Sequence, residues 1–196
     1  MRLATPALLL TALALPACKG VDSRAEAEAA YLGFDAGVSR ALDLGLQGYA
    51  AASSANIDDQ VGDGDVSGTM VVGGQVDQGS SDNKGLRLSV ALDDYADLVD
   101  IDVDGAVDLR VAYATDAPLD LDVQLRDAPD GTLSGTLVGT VLLTGDLAGP
   151  ATFDLALDGA IEDDGTGAAQ RVAGGTHVTG TVTGPSGGVY PVDVTR

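Results

Sequence analysis

Two hydrophobic periods divide this chain. From about Asp22 to Ala52 apolar residues recur every three or four positions, placing Tyr31, Phe34, Val38, Leu42 and Tyr49 on one stripe, and that spacing predicts a helix over 22–52. Asp22-Ser23 offers an N-cap, and Glu26 and Glu28 put acids in the early turns, where the helix dipole favours negative charge. Gly33, Gly37, Ala41 and Gly45 lie beside the stripe at four-residue intervals. A helical glycine costs about 1 kcal/mol relative to Ala, so a row of them predicts the close approach of another backbone.

After Asp58 the period becomes two and holds to the C-terminus. Val66 to Val72, Leu86 to Leu92, Val99 to Val103, Val107 to Tyr113 and Leu119 to Leu125 alternate apolar with polar residues. So do Leu133 to Leu143, Phe153 to Leu157, Val172 to Val182 and Tyr190 to Val194. About nine strands, each with one dry and one wet face, are predicted within 61–196.

Face matching constrains the connections. Asp104-Gly105 suits a three-residue loop with Gly105 in a bulge, because a two-residue hairpin would set Ile101 against Asp108. The same parity across Ala114–Pro118, Arg126–Gly131 and Gly184–Gly187 predicts hairpins and therefore an up-and-down meander. Gly159–Ala169 reads as a loop, and Val72-Gly73-Gly74 and Gly174-Gly175 read as bulges that curl the sheet. The prediction is a mainly β fold: an antiparallel, curled sheet or barrel-like domain with one N-terminal helix packed on its apolar face. A closed barrel and a folded-over sandwich are the alternatives.

Composition narrows the function. Ten basic against 30 acidic residues give a formal net charge of −20, which works against nucleic acid and anionic lipid surfaces. All but three acids are Asp, and 27 glycines accompany them, a composition of turns and strand faces. There is no Trp and aromatics are 4%, so platforms for stacking sugars or bases are scarce.

The N-terminus adds a location. Met1-Arg2 precedes an apolar run from Leu3 to Leu15 that is too short to span a membrane and reads as a signal peptide over 1–17. It closes on Leu15-Pro16-Ala17-Cys18, which resembles the lipobox of bacterial lipoproteins, with Pro16 departing from the small residue usual in that slot. The resemblance covers residues 1–18 alone and implies cleavage before Cys18, a lipid on its thiol, a tether over 18–21, and one exported domain over 22–196. The implied partners are a membrane, through that lipid, and a protein of the cell envelope. Cys18 is the chain's single cysteine, so the domain itself has no disulfide or zinc–thiolate cluster.

Candidate chemistry is sparse. Asp100-Ile-Asp102-Val-Asp104-Gly105 copies the first half of a calcium loop, but Val111 stands where an EF-hand needs Glu. Asp63-Gly-Asp65-Val-Ser67-Gly68 is a weaker copy. A sheet-surface calcium site using Asp100, Asp102, Asp104 and Asp108 remains, relieved otherwise by Arg110, which the preferred register sets opposite Asp100 or its neighbour and near Asp122. His177, the sole histidine, reads as a wet-face strand residue, and no Gly-x-Ser-x-Gly elbow exists. No catalytic residue and no cofactor beyond that calcium is expected. The leading reading is a non-enzymatic, lipid-anchored envelope or surface protein with a structural or binding role. The alternatives are a carrier holding an acyl chain or apolar segment in the β concavity, and a weak calcium-binding acidic β domain. A residual apolar pocket would favour the carrier.

Overall fold

A computed structural model of the chain describes residues 19–51, 54–77, 82–97 and 110–196. Two helices lead: α1 (Arg24–Leu32) and α2 (Asp35–Ala51). Nine strands follow: β1 (Asn56–Asp63), β2 (Ser67–Val76), β3 (Lys84–Ala96), β4 (Val111–Ala114), β5 (Leu119–Arg126), β6 (Gly131–Gly145), β7 (Gly149–Asp163), β8 (Ala169–Thr183) and β9 (Val189–Thr195). All strand pairs are antiparallel, in one sheet that curls into a partial, barrel-like ring around the helices. The predicted fold class is therefore the observed one.

Alternation sets the faces. In β5, Leu119, Leu121, Val123 and Leu125 are buried while Asp120, Asp122, Gln124 and Arg126 are exposed, and β6 and β7 follow the same rule. Each strand thus has a greasy side that must be hidden. The helices hide it: Tyr31, Phe34, Val38, Ala41 and Leu42 are buried in the same cluster as the inward residues of the sheet. β1 and β9 are the two edges of the sheet; α1 packs on β9, and α2 on β1, β2 and β8. The helical segment thereby fills the concavity and bridges its open side.

Several details differ from the prediction. The helix expected over 22–52 is broken by a tight turn at Gly33-Phe34, where the Phe34 amide donates to Tyr31 O at 2.8 Å. That turn seats Phe34 among Tyr113, Tyr95 and Phe153, with ring centroids 5.2, 6.3 and 6.5 Å away. Sheet structure begins at Asn56, because the edge strand β1 buries so little (Ile57 alone is fully inside) that its alternation is faint. The helix glycines approach side chains of the sheet: a Cβ at Gly33 would meet the Tyr113 hydroxyl, at Gly37 the Phe34 and Tyr95 rings, at Gly45 Leu88, and at Gly48 Ile57.

Ala114–Pro118 is not a hairpin. β4 and β5 both pair with β3 on one side and β6 on the other, so they are one strand position interrupted by a bulge. Parity could not separate the two cases, since an insertion that keeps Tyr113 and Leu119 inward satisfies either. Thr115 stitches the bulge to β3, accepting from the Leu92 amide at 2.9 Å and donating its own amide to Leu92 O at 3.0 Å. With β4 and β5 counted as one position the chain is a meander, with the Arg126–Gly131 and Gly184–Gly187 turns where parity put them.

Gly159–Asp163 continues β7 instead of looping out. The turn after it is closed by carboxylates: Asp163 accepts from the Gly165 and Gly167 amides at 2.7 and 2.9 Å, and Asp164 from the Thr166 amide and hydroxyl at 2.7 Å. Val99, Ile101, Val103, Val107, Leu109, the Asp104-Gly105 turn and the Tyr49 side chain lie outside the described residues.

Candidate functional site

Two ionic clamps hold α2 across the sheet. On one side Arg171 of β8 reaches Asp35, donating Nη2 to Asp35 Oδ1 at 3.0 Å and Nη1 to Ser39 Oγ at 2.9 Å and Asp35 O at 3.3 Å. Its Nε donates to Thr176 Oγ1 at 3.2 Å, and the Tyr31 hydroxyl completes the carboxylate at 2.6 Å. Arg171 is 6% exposed. Burying a guanidinium at that depth is tolerable only with a carboxylate and nearly all donors engaged, which is what surrounds it. Burial, and then the Asp35 charge, push the Tyr31 phenol well above its ordinary range. The phenol stays protonated and donates.

The glycine bulge makes this clamp possible. Ile161 pairs with Arg171 and Gly159 with Thr176, so β8 spends three more residues than β7 between these pairs. An odd insertion reverses the pleat. It turns Arg171 inward while His177 stays outward. Val172, expected to share the face of Val178 and Val182, is half-buried beside this bulge instead.

On the other side of α2, Arg40 donates Nη2 to Asp65 at 2.9 Å and to Asp97 at 3.4 Å. The Asp97 side chain is fully buried and also accepts from the Tyr95 hydroxyl at 2.6 Å and the Asp65 amide at 3.0 Å. Asp65 belongs to the weaker calcium-loop copy, and its carboxylate is committed to Arg40 in the β1–β2 turn. That segment is a clamp for the helix.

A third cluster fixes the start of the domain. Ser23 and Glu26 form a capping box: the Glu26 amide donates to Ser23 Oγ at 3.3 Å, and the Glu26 carboxylate accepts from Ser23 Oγ and the Asp22 amide, each at 2.9 Å. Lys19 Nζ adds an ion pair to Glu26 at 2.8 Å. Burial alone would raise the Glu26 pKa, but the Lys19 bond and the Asp22 and Ser23 donors outweigh it and hold the carboxyl at about 2. Lys19 O accepts from the Ala148 amide at 2.9 Å, Gly20 lies against Pro185, and Val21 is buried beside Gly184. Residues 19–21 are docked on the domain; they do not behave as a free tether.

Among the described residues, three open clefts flank α2. The largest, about 550 Å³, is lined by Ser39, Arg40, Asp43, Leu44, Gln47 and Gly62. A second of about 390 Å³ sets Asp43 near Asp164, and burial followed by the Asp164 charge raises the Asp43 carboxyl. The third, about 340 Å³, lies outside the Arg171 clamp. All three lie along the helix surface, while the inward side chains of β5, β6 and β7 have 0–3% of their surface open, apart from Ile161 at 6%, and so border no water-sized void of consequence. Among the described residues, the apolar side of the curl is covered by α1 and α2.

His177 is on the wet face with Thr179 and Thr181, as read from the sequence, and meets Asp193 at 2.8 Å. The contact holds the Asp193 carboxyl below its usual range, and both partners are more than half exposed. Arg110 is not near Asp122. Its backbone pairs with Asp146, whose carboxylate accepts from the Arg110 amide at 2.8 Å, whereas Asp122 faces Arg87 on β3. Cys18 and the proposed calcium ligands Asp100, Asp102, Asp104 and Asp108 lie outside the described residues. Among the described residues no three His, Cys, Asp or Glu side chains converge as a metal set, and no helix is long and apolar enough to cross a membrane.

Comparison with protein-family models, with curated proteins and with solved structures finds no match for this chain. Most of the polar groups buried at the clamps have fixed partners.

Proposed function

We propose that the protein is an exported, lipid-anchored component of the cell envelope or surface whose β domain has a structural or binding role and no catalysis of its own. The observation that carries this reading is the docking of residues 19–21 immediately after Cys18. A domain whose packing starts at the residue after a lipobox-like cysteine would be delivered directly to the anchor point, with no spacer to let it roam. The filled concavity supports a role played by the outer surface of the domain and weighs against transport of an acyl chain inside it. Envelope proteins remain the expected partners.

The test is mass spectrometry of the N-terminal peptide from the native membrane, alongside a Cys18→Ser variant. The expected result is a peptide starting at Cys18 and carrying a diacylglyceryl thioether, with the variant released from the membrane fraction. A wild-type N-terminus without lipid contradicts the proposal.

A further inference from the structure

The wet face of the sheet changes character along its length. Away from the docked N-terminal segment it carries Asp120 and Asp122 on β5, Asp154 and Asp158 on β7, and Asp193 on β9. Toward the β6–β7 and β8–β9 turns it shows Thr140 and Leu142 on β6, Pro150 and Thr152 on β7, and Val189 and Pro191 on β9, with only Ala and Thr on the adjoining outward positions of β4 and β8. Strand pairing makes these positions one patch: Ala114 faces Leu142, Leu142 faces Pro150, Thr152 faces Thr183, and Thr183 faces Val189. In a chain that is 20% charged, this stretch of five strands carries no charge. Among the described residues, two of the five exposed large apolar side chains lie here, Leu142 and Val189, at 51% and 61%.

The same end receives the N-terminal segment. Lys19 pairs with Leu147 in the β6–β7 turn, and Gly20 and Val21 lie against Pro185 and Gly184 in the β8–β9 turn. Lys19, the residue that follows the lipobox-like cysteine in the sequence, is thus held beside these two turns. We infer that the uncharged patch on β4, β6, β7, β8 and β9 is the surface by which the domain rests on the lipid bilayer, with the acidic part of the sheet turned to the aqueous side. The inference rests on the anchoring proposed above and adds an orientation to it.

The chemistry fits a headgroup region. Side chains of Leu, Val, Pro and Thr can enter the interface by about 5–10 Å at little cost, whereas a carboxylate entering it must shed water. Carboxylates return at the border, on Asp116, Asp120 and Asp154. Asp154 stands four strand residues from Pro150 and Asp193 four from Val189, about 13 Å, which exceeds the roughly 8 Å of screening in physiological salt, so their repulsion from an anionic surface is largely relieved. At the tip Lys19 is committed to Glu26, and Asp146 accepts from the Arg110 amide.

The orientation is tested by hydroxyl-radical footprinting of the natively processed protein in phosphatidylcholine vesicles, compared with the same protein in detergent-free solution as Cys18→Ser. Labelling of Leu142 and Val189 is expected to fall roughly threefold or more on vesicles, while His177, about 20 Å up β8 from the turn, keeps its labelling. Equal labelling of Leu142 and Val189 in both samples, with lipid found on Cys18, overturns the orientation and leaves the anchor standing. Absence of lipid on Cys18 removes the anchor and the orientation together. Concentration-dependent protection of the patch in the vesicle-free variant assigns the face to a second copy of the chain and overturns the inference as well.

Discussion

Glu26 shows how much one side chain can hold. Its carboxylate closes the capping box, pairs with Lys19 and keeps the first docked residues in place. Because its pKa falls to about 2 in the folded chain from an ordinary 4.5, its contribution is present above pH 4.5 and is lost as pH drops toward 2. The contribution is of order 2 kcal/mol, part of it offset by Asp22, whose carboxyl the same Glu26 pushes upward. Urea melts of Glu26→Gln against the native chain should show a gap of that order at pH 7 that narrows by pH 3. An unchanged gap would mean that the ionised carboxylate is not what stabilises the cap. Arg171 makes a second case: Arg171→Ala leaves Asp35 facing the core unpaired and should cost about 3 kcal/mol, whereas Arg171→Met with Asp35→Leu should recover most of it. Chemical denaturation of the three chains checks both statements. Of these residues only the Ser23 cap and the acid three positions later could be read in the sequence. Arg171 could not, because its inward orientation depends on the length of a bulge that parity arguments do not count.

At the level of elements, the helix glycines decide the fit between α1, α2 and the sheet. Gly→Ala in an exposed helix usually adds about 1 kcal/mol of stability. At Gly33 a Cβ would clash with the Tyr113 hydroxyl, which is buried and donates to Ala30 O at 2.9 Å. Gly33→Ala should therefore lower stability, by about 1–3 kcal/mol, and a thermal melt that rises instead would show that the contact yields freely. The glycine row in the sequence pointed to this closeness, though to the wrong neighbour: side chains of the sheet fill the space, not another backbone. Strong alternation made β2, β3, β5, β6, β7 and β9 legible, largely down to which residues face inward, but Val66 before β2 is exposed and the faces of β8 before Thr176 were misread across the bulge. The edge strand β1 was not, since an edge in water needs little alternation, and the bulge between β4 and β5 looked like a turn because both keep the same faces buried.

For the whole molecule, one relation organises the rest: the sheet curls but its edges β1 and β9 do not pair, and the helical segment is both its filling and its closure. Phe34 sits at the centre of that filling, and Phe34→Ala should cost about 3–5 kcal/mol, read by the same denaturation series. If α1 and α2 are part of the core, the concavity never opens without global unfolding and the domain acts through its outside. If the helices instead detach readily, the curl becomes an apolar trough suited to cargo. Native-state hydrogen exchange separates these directly. The amides of Val38 to Leu42 in α2 should exchange with the same opening free energy as those of Leu137 and Leu155 in β6 and β7, at the level of global stability. Exchange of α2 at a free energy several kcal/mol lower than the sheet would contradict the account.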